Sequence, residues 1–176
     1  MFNKLLIANR GEIACRVIRS AKRMGIRTVA VFSDADRDAP HTLMADEAVH
    51  IGASPSAKSY LLVERIIDAC QATGADAVHP GYGFLSEKSA LVSGLEDVGV
   101  AFVGPPAKAI EVMGDKITSK ALAERVGVPT IPGFNEVLID ADDAVSHARE
   151  IGYPVMLKAS AGGGGKGMRI ATDDDE

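Results

Sequence analysis

The sequence predicts an α/β fold: a doubly wound parallel sheet followed by the beginning of a second domain. Short apolar runs alternate with longer segments in which apolar residues recur every three or four positions, which is the pattern of buried strands separated by amphipathic helices. Such alternation favours a parallel sheet with right-handed crossovers. From residue 115 onwards, helices, helix breakers and a glycine-rich loop replace the alternation, which indicates the second domain.

The first domain is built from strands that each lead into a helix. Residues 5–8 are a buried strand, and residues 13–21 then show helical spacing until Gly25, a residue type that commonly ends helices. The remaining elements are strands at 28–32 and 48–51, a helix at 60–73 closed by Gly74, a strand at 75–79, a helix near 87–98, a strand at 100–103 and a helix opened by Pro105 and Pro106.

The second domain begins near residue 115. We predict helices at 115–126 and 141–151, separated by a breaker-rich stretch at 127–133, and strands at 155–159 and 168–171 on either side of the glycine-rich loop. These elements are too few to close a hydrophobic core before the acidic end of the chain. We therefore expect the second domain to be truncated.

Composition argues against several classes of function. The chain has 176 residues, 47% hydrophobic and 24% charged, with a net charge of −5. No apolar run approaches the roughly 18 residues of a membrane span, the start lacks the features of a signal peptide, and basic residues are not interleaved with aromatic ones as in many nucleic-acid-binding surfaces. We expect no membrane or nucleic-acid partner and a cytoplasmic protein, or a mitochondrial matrix protein in a eukaryote, although no transit peptide is visible.

Other sites are also disfavoured. Cys15 and Cys70 lie far apart within apolar helical patterns, so we interpret them as buried core residues. The first strand-to-helix turn, at 9–12, contains one glycine, which argues against NAD or FAD binding. The acidic turn at 34–38 lacks the glycine and terminal glutamate of a calcium loop, and we interpret its aspartates as solvated surface.

The strongest local signal is the glycine-rich loop. Consecutive glycines let backbone N–H groups approach phosphate oxygens without a side-chain clash. The loop is not a P-loop, because glycine follows its lysine and a strand follows the loop; we predict a mobile flap that joins two antiparallel strands and covers phosphates. A flexible linker is the alternative. The residues of the loop are Gly162, Gly163, Gly164, Gly165, Lys166 and Gly167.

Two lysines outside the loop are further candidates. Lys158 lies on the strand that enters the loop, beside Met156 and Leu157, which we expect to be buried. Its charge then needs an anionic partner, either a nucleotide phosphate or a structural carboxylate. Lys116 follows Asp115, which we predict to be a helix N-cap. On these grounds alone, Lys116 is a solvated lysine of a first helical turn.

The turn at 79–87 is a second candidate site. It follows a strand and so lies at the carboxyl edge of the sheet, where ligands bind in open α/β folds. Its core, residues 81–83, predicts a tight, exposed turn. The alternative is a plain connection in which Ser86 caps the next helix, Phe84 packs beneath it, and His79 is hydrogen-bonded within the structure.

These segments resemble biotin carboxylase, the ATP-grasp component of biotin-dependent carboxylases. The likeness is in register at residues 6–14, 44–48, 79–87, 113–116 and 158–169. The stretch 153–162 is most similar to the alpha chains of propionyl-CoA and related acyl-CoA carboxylases, and pyruvate carboxylase shares most of it. The resemblance implies a Rossmann-like (pre-ATP-grasp) domain at residues 1–114 and the start of an ATP-grasp domain at 115–176.

The resemblance also implies a reaction. In the family, ATP and bicarbonate, with Mg²⁺ or Mn²⁺, form carboxyphosphate, whose carbon dioxide carboxylates biotin held on a carrier domain. Lys116, Lys158 and the loop from Gly162 to Gly167 match ATP-binding residues, which reverses the interpretation of Lys116. Tyr82 and Gly83 match a turn that faces biotin. The family's catalytic and metal-binding residues lie further along, so we expect none of them in this chain and no activity of the isolated chain.

The implied partners are a biotinyl carrier domain, a carboxyltransferase subunit and further copies in an oligomer of the full-length protein. Arg23 stands where homodimeric bacterial subunits tend to have an acidic residue, which favours an acyl-CoA carboxylase assembly. Two alternatives are open. One is another ATP-grasp ligase, against which the segment 79–87 argues; the other is a non-catalytic assembly module.

Overall fold

The computed structural model describes residues 2–131, 133–134, 136–158 and 167–176, with the backbone alone described at position 116. The chain forms two compact units, Met1–Glu111 and Val112–Glu176. Within the described ranges, no helix is long and apolar enough to cross a membrane.

The first unit is built on a sheet of five strands. They are β1 (Lys4–Ile7), β2 (Arg27–Ser33), β3 (Glu47–Gly52), β4 (Ala77–His79) and β5 (Ala101–Phe102). Their order is β3-β2-β1-β4-β5 and every neighbouring pair is parallel, which confirms the predicted α/β fold. Chain order reverses between β1 and β4, and in such sheets this point opens a crevice at the carboxyl ends of the strands.

Helices pack on both faces of this sheet. They are α1 (Gly11–Arg23), α2 (Pro40–Met44), α3 (Val63–Thr73) and α4 (Ser89–Asp97), and a further helix, α5 (Ala107–Gly114), follows β5 in the chain. Around β1, Leu6 and Ala8 join a core cluster with residues of α3 and α4, whereas Leu5 and Ile7 join a second cluster with residues of α1. Because side chains alternate between the faces of a strand, burial on both faces explains the continuous apolar run at 5–8.

Several boundaries differ from the predicted ones. Helix α3 begins at Val63 rather than at residue 60, because the side chain of Tyr60 is fully buried in the sheet core before the helix starts. The short helix α2 was not predicted. Ser86 does not cap α4: the N-cap position is Lys88, without a side-chain cap, and the Ser86 N–H instead donates to the Gly83 carbonyl within the turn.

Both cysteines are buried, as predicted. Cys15 and Cys70 are free and nearly inaccessible to solvent. Burial raises the pKa of the Cys70 thiol to about 12, so this group is un-ionised at neutral pH and a poor nucleophile or metal ligand. In the described part of the chain, no group of three or more histidine, cysteine, aspartate or glutamate side chains could hold a metal ion.

His41 makes the stability of the first unit sensitive to acid. Its ring is fully buried, with Nε2 3.3 Å from the Val31 carbonyl oxygen and Nδ1 without a partner among the described residues. Desolvation lowers the pKa of His41, although the Val31 carbonyl opposes this effect. A histidine whose pKa is lower in the folded state destabilises the fold as pH falls below the unfolded value of about 6.5.

We therefore expect the free energy of unfolding to fall as pH drops from about 7.5 to about 5.5. Replacing His41 by glutamine, which does not titrate, should make this fall shallower; His79, whose pKa is also lowered by desolvation, should account for a remaining part. Urea unfolding at several pH values measures the slope. His50→Gln is the control, because the His50 side chain is exposed. Equal slopes for the native chain and His41→Gln would contradict this assignment.

The second unit contains two helices and a strand hairpin among its described residues. They are α6 (Lys116–Arg125), α7 (Ala141–Ile151), β6 (Val155–Lys158) and β7 (Met168–Ala171). Strands β6 and β7 pair in antiparallel fashion, with Lys158 opposite Met168, which confirms the predicted pairing across the glycine-rich loop. Asp115 accepts a hydrogen bond from the Thr118 N–H at 2.7 Å and is the predicted N-cap.

The expected burial of Met156 and Leu157 is wrong. Their side chains are 49% and 37% exposed. Strand β6 has a single partner strand in the described chain, and a two-stranded hairpin cannot cover its own faces. Because these neighbours are exposed, the argument that Lys158 needs an anionic partner no longer holds. The assignment of Lys158 to ATP binding rests on the family resemblance.

Candidate functional site

A pocket lies at the carboxyl edge of the sheet, where the turns after β1 and β4 meet. Its volume is about 300 Å³, and it is lined by Asn9, Arg10, Ile13, Tyr82, Gly83 and Phe84. This is the switch point of the sheet, where ligands bind in open α/β folds. The structure thus brings the predicted Tyr82 and Gly83 together with residues of the first strand-to-helix turn.

The turn after β4 depends on glycine. Gly81 and Gly83 have φ values of +67° and +65°, a left-handed conformation that residues with a Cβ atom rarely adopt. The Gly81 N–H donates to Nδ1 of His79 at 3.0 Å, which agrees with the structural role predicted for this histidine. The result is a tight turn that leaves Tyr82 62% exposed.

Asn9 holds this turn against the end of β1. Its side-chain Nδ2 donates to the carbonyl oxygens of Pro80 and Tyr82, both at 2.8 Å. Its Oδ1 accepts from the Arg10 N–H at 2.9 Å. Asn9 is buried. Any movement of its side-chain amide would break these three hydrogen bonds and leave polar groups unpaired.

Glu12 fixes the orientation of the Tyr82 ring. The phenol hydroxyl of Tyr82 donates to Oε1 of Glu12, and this carboxylate raises the pKa of Tyr82. Asn9, Arg10 and Glu12 belong to one short segment of the sequence, and each contacts the turn at 80–84 or a residue that supports it. The segment that argued against a dinucleotide site therefore shapes the pocket.

The interpretation of the acidic turn at 34–38 as solvated surface is wrong for Asp36. Its Oδ2 accepts hydrogen bonds from Ser33 Oγ at 2.7 Å, Tyr60 Oη at 2.8 Å and Arg10 Nη1 at 3.2 Å. Burial alone would raise the pKa of Asp36, but these three donors outweigh it and lower the pKa. Asp36 is thus an ionised, half-buried acceptor that joins three separate segments of the first unit.

Phe84 lines the pocket and packs against the core beneath the turn, but in an unusual backbone conformation. It is a non-glycine residue with a φ of +44°, which costs about 1–2 kcal/mol for an L-amino acid. Its ring stacks on that of Tyr60, with centroids 5.1 Å apart and planes inclined by 10°. The Arg10 guanidinium lies 5.2 Å from the Tyr60 centroid and 5.5 Å from the Phe84 centroid. These three flat groups form one cluster.

The predicted ATP-binding residues belong to the second unit. Lys116 begins α6, and Lys158 ends β6 with an exposed side chain. No carboxylate among the described residues pairs with Lys158, so the alternative of a structural carboxylate finds no support there. Gly167, which leads into β7, has a φ of +73°. The side chain of Lys116 lies outside the described residues, as do Gly162, Gly163, Gly164, Gly165 and Lys166.

Two domain families match the chain, one after the other. Residues 1–110 match the N-terminal domain of biotin carboxylase. Residues 115–176 match the ATP-binding domain of the carbamoyl-phosphate synthase L chain.

Similar proteins span the whole chain. The propionyl-CoA carboxylase alpha chain of Ruegeria pomeroyi is 63% identical over 176 residues, which is 100% of this chain and 26% of that protein. The mitochondrial alpha chain of Sus scrofa is 62% identical over 99% of this chain and 24% of its own length. This chain therefore spans about a quarter of the length of these relatives.

Solved structures show the same fold. The Campylobacter jejuni biotin carboxylase bound to β,γ-ATP matches with a TM-score of 0.94 at 45% identity, over 99% of this chain and 39% of its own. The biotin carboxylase domain dimer of Hydrogenobacter thermophilus 2-oxoglutarate carboxylase, in complex with MgADP, ADP and bicarbonate, matches with a TM-score of 0.91 at 52% identity, over 99% of this chain and 38% of its own.

Proposed function

Because this chain belongs to the biotin carboxylase family, we propose that it forms the N-terminal domain and the start of the ATP-grasp domain of an enzyme that carboxylates biotin. The reaction uses ATP and bicarbonate, and the carboxyl group then passes to an acyl-CoA. The observation that carries the proposal is the match of both domains in the correct order. The identity to propionyl-CoA carboxylase alpha chains favours the acyl-CoA branch.

The second unit supplies part of the ATP site in this proposal. The ammonium groups of Lys116 and Lys158 offset phosphate charge, and the backbone N–H groups between Gly162 and Gly167 cover the phosphates. The antiparallel pairing of Lys158 with Met168 supports this role, since it places the lysine at the mouth of the loop. The Mg²⁺ or Mn²⁺ that accompanies ATP supplies further charge neutralisation and is held by residues beyond this chain.

The first unit supplies part of the biotin site in this proposal. Tyr82 and Gly83 line the pocket at the switch point, and biotin reaches it on a carrier domain. The ion pair between Arg10 and Asp36 has no net charge and Glu12 is a carboxylate, so free anions gain little here. A neutral ureido ring suits such a surface better than a phosphate does.

The proposed partners are the biotinyl carrier domain, a carboxyltransferase subunit and other copies of the full-length chain, in the cytoplasm or the mitochondrial matrix. Arg23, on the exposed surface of α1, adds positive charge to a helix face that also presents Arg16 and Arg19. An acyl-CoA carboxylase assembly accommodates this basic face in our proposal.

The proposal is tested with this chain and the full-length carboxylase polypeptide that contains it. Titration calorimetry with magnesium and ATP measures nucleotide binding, and a coupled assay measures bicarbonate- and biotin-dependent ATP hydrolysis. Activity in the full-length protein alone is the expected result. ATP turnover by the short chain would contradict the assignment of catalysis to residues beyond it, and inactivity of both would favour the non-catalytic assembly module.

Lys158→Gln in the full-length protein is expected to weaken ATP binding about tenfold or more, because a hydrogen bond to a charged group contributes about 1.5–3 kcal/mol. The Michaelis constant for biotin should stay close to the native value. Calorimetry and steady-state kinetics measure the two quantities. Lys58→Gln, an exposed lysine of the first unit, serves as the matched control. Unaltered ATP affinity in Lys158→Gln would remove Lys158 from the ATP site.

A further inference from the structure

The backbone at Phe84 is held in place by the side chains of Tyr60 and Arg10, of which Arg10 also lines the pocket. A residue with a side chain at a φ of +44° persists only where its surroundings over-determine it, and such residues concentrate at functional sites. Phe84 follows directly on Tyr82 and Gly83, which line the pocket. Whatever fixes Phe84 therefore also fixes the turn that presents those two residues.

Two of the groups in contact with Phe84 are bound to a single carboxylate. Tyr60 stacks on the Phe84 ring and Arg10 lies close to both rings. Oδ2 of Asp36 accepts from the Tyr60 hydroxyl at 2.8 Å and from Arg10 Nη1 at 3.2 Å. Removal of this carboxylate would take away the acceptor of the hydroxyl and the ion-pair partner of the guanidinium together, leaving Tyr60 Oη with the hydrogen bond that the Ser33 N–H donates at 3.3 Å.

Burial makes this arrangement costly to break. Tyr60 is fully buried, so its hydroxyl has no water to replace Asp36. The side chain of Asp36 is 18% exposed and that of Arg10 is 40% exposed, so the pair is partly shielded from solvent and less screened than a surface pair. Ser33 Oγ adds a third hydrogen bond to the same carboxylate at 2.7 Å, which restricts its orientation.

We propose that Asp36 and Arg10 are positioning residues for biotin: their ion pair, with the Tyr60 hydroxyl, holds Phe84 in its left-handed conformation and so sets Tyr82 and Gly83 at the pocket. The proposal rests on the proposed function, because it takes the pocket to be the biotin-facing surface. Asp36 acts through Arg10 and Tyr60 and does not itself line the pocket.

The test uses free biotin as substrate of the full-length protein. Asp36→Ala is expected to raise the Michaelis constant for biotin about tenfold, with the Michaelis constant for ATP changed less than about twofold. Asp36→Asn keeps an acceptor for Tyr60 but loses the charge that binds Arg10, so its effect should be intermediate. Tyr60→Phe removes one hydroxyl and keeps the stacked ring, and its effect on the biotin constant should be smaller than that of Asp36→Ala.

A second variant that destabilises the fold elsewhere distinguishes a positioning role of Asp36 from a purely structural one. Ile18→Ala removes a fully buried side chain from the core cluster on the α1 face of the sheet, so it lowers the unfolding temperature without touching the Asp36 network. If Ile18→Ala raises the biotin constant as much as Asp36→Ala does, the inference is overturned. A selective effect of Asp36→Ala supports it.

Tyr82→Ala separates failure of the inference from failure of the proposed site. A raised biotin constant in Tyr82→Ala with a native one in Asp36→Ala overturns the positioning role and leaves the biotin-facing turn in place. A native biotin constant in Tyr82→Ala overturns both, because Asp36 is then not acting through this turn. Raised Michaelis constants for biotin in both variants, with Michaelis constants for ATP close to the native value, support the proposal.

Discussion

Gly81→Ala is expected to lower the biotin-dependent activity of the full-length protein about a hundredfold and to lower the free energy of unfolding by about 3 kcal/mol. An added Cβ would lie 2.6 Å from Nδ2 and 2.9 Å from Cγ of Asn9, which is far inside contact distance. The φ of Gly81 is +67°, so an alanine is strained there even before the clash is counted.

Asn9 cannot relieve this clash cheaply. It is buried and donates to the carbonyl oxygens of Pro80 and Tyr82, and each such hydrogen bond contributes about 1 kcal/mol net. Rotation of the amide would break both bonds, while displacement of the turn would move Tyr82 and Gly83 from the pocket. Either response lowers the population of the turn conformation proposed to bind biotin.

The control is Gly74→Ala. Gly74 ends α3 with a φ of +65° and has no atom within 4 Å of an added Cβ, so this variant carries a similar backbone strain without a clash. Activity should then stay near the native value, with a loss of stability of about 1 kcal/mol. Steady-state kinetics with free biotin and urea unfolding measure both variants. Similar results for Gly81→Ala and Gly74→Ala would show that the contact with Asn9 is unimportant.

The sheet could be predicted because burial on both faces leaves a signal within each strand. The apolar runs within the predicted strands at 5–8 and 28–32 indicate strands covered on both sides, and the structure confirms β1 and β2 there. The hairpin β6–β7 shows the limit of this reasoning. The composition of β6 indicates which of its residues would be buried in a larger sheet. Their burial depends on other elements that pack against the strand, and in the described chain Met156 is exposed.

The pocket could be predicted only in part, because its contacts join residues distant in sequence. Asn9 binds a carbonyl 71 positions away and Asp36 binds Arg10 across 26 positions. The local sequence pattern correctly predicted a turn at 79–87, but it wrongly indicated that Asp36 is solvated. One available signal was missed: in one of the two common doubly wound strand orders the first and fourth strands are neighbours, and that order places the polar segment at 9–12 beside that turn.

Gly52→Ala is expected to lower the free energy of unfolding by about 4 kcal/mol, a larger loss than overpacking alone usually causes. An added Cβ would lie 2.3 Å from the carbonyl oxygen of Lys58. The contact is with backbone, so no side-chain rotation can relieve it. The φ of Gly52 is +135°, a region that L side chains rarely adopt.

The backbone near Lys58 is poorly able to yield. The Leu61 N–H donates to the Ser56 carbonyl at 2.9 Å and the Ser59 hydroxyl to the Pro55 carbonyl at 3.1 Å, which closes the segment on itself. Ser59 is fully buried, as is the adjacent Tyr60. A shift of this segment would therefore disturb the core of the first unit.

Gly25→Ala provides the comparison for Gly52→Ala. Gly25 also has a positive φ, +73°, but an added Cβ there meets nothing within 4 Å, so we expect a loss of about 1 kcal/mol. Urea unfolding followed by circular dichroism measures both. Losses within about 1 kcal/mol of each other would mean that the segment at 55–59 moves freely. A much larger loss of unfolding free energy in Gly52→Ala than in Gly25→Ala would show that this segment is rigid. The segment leads directly into Tyr60, whose hydroxyl donates to Asp36.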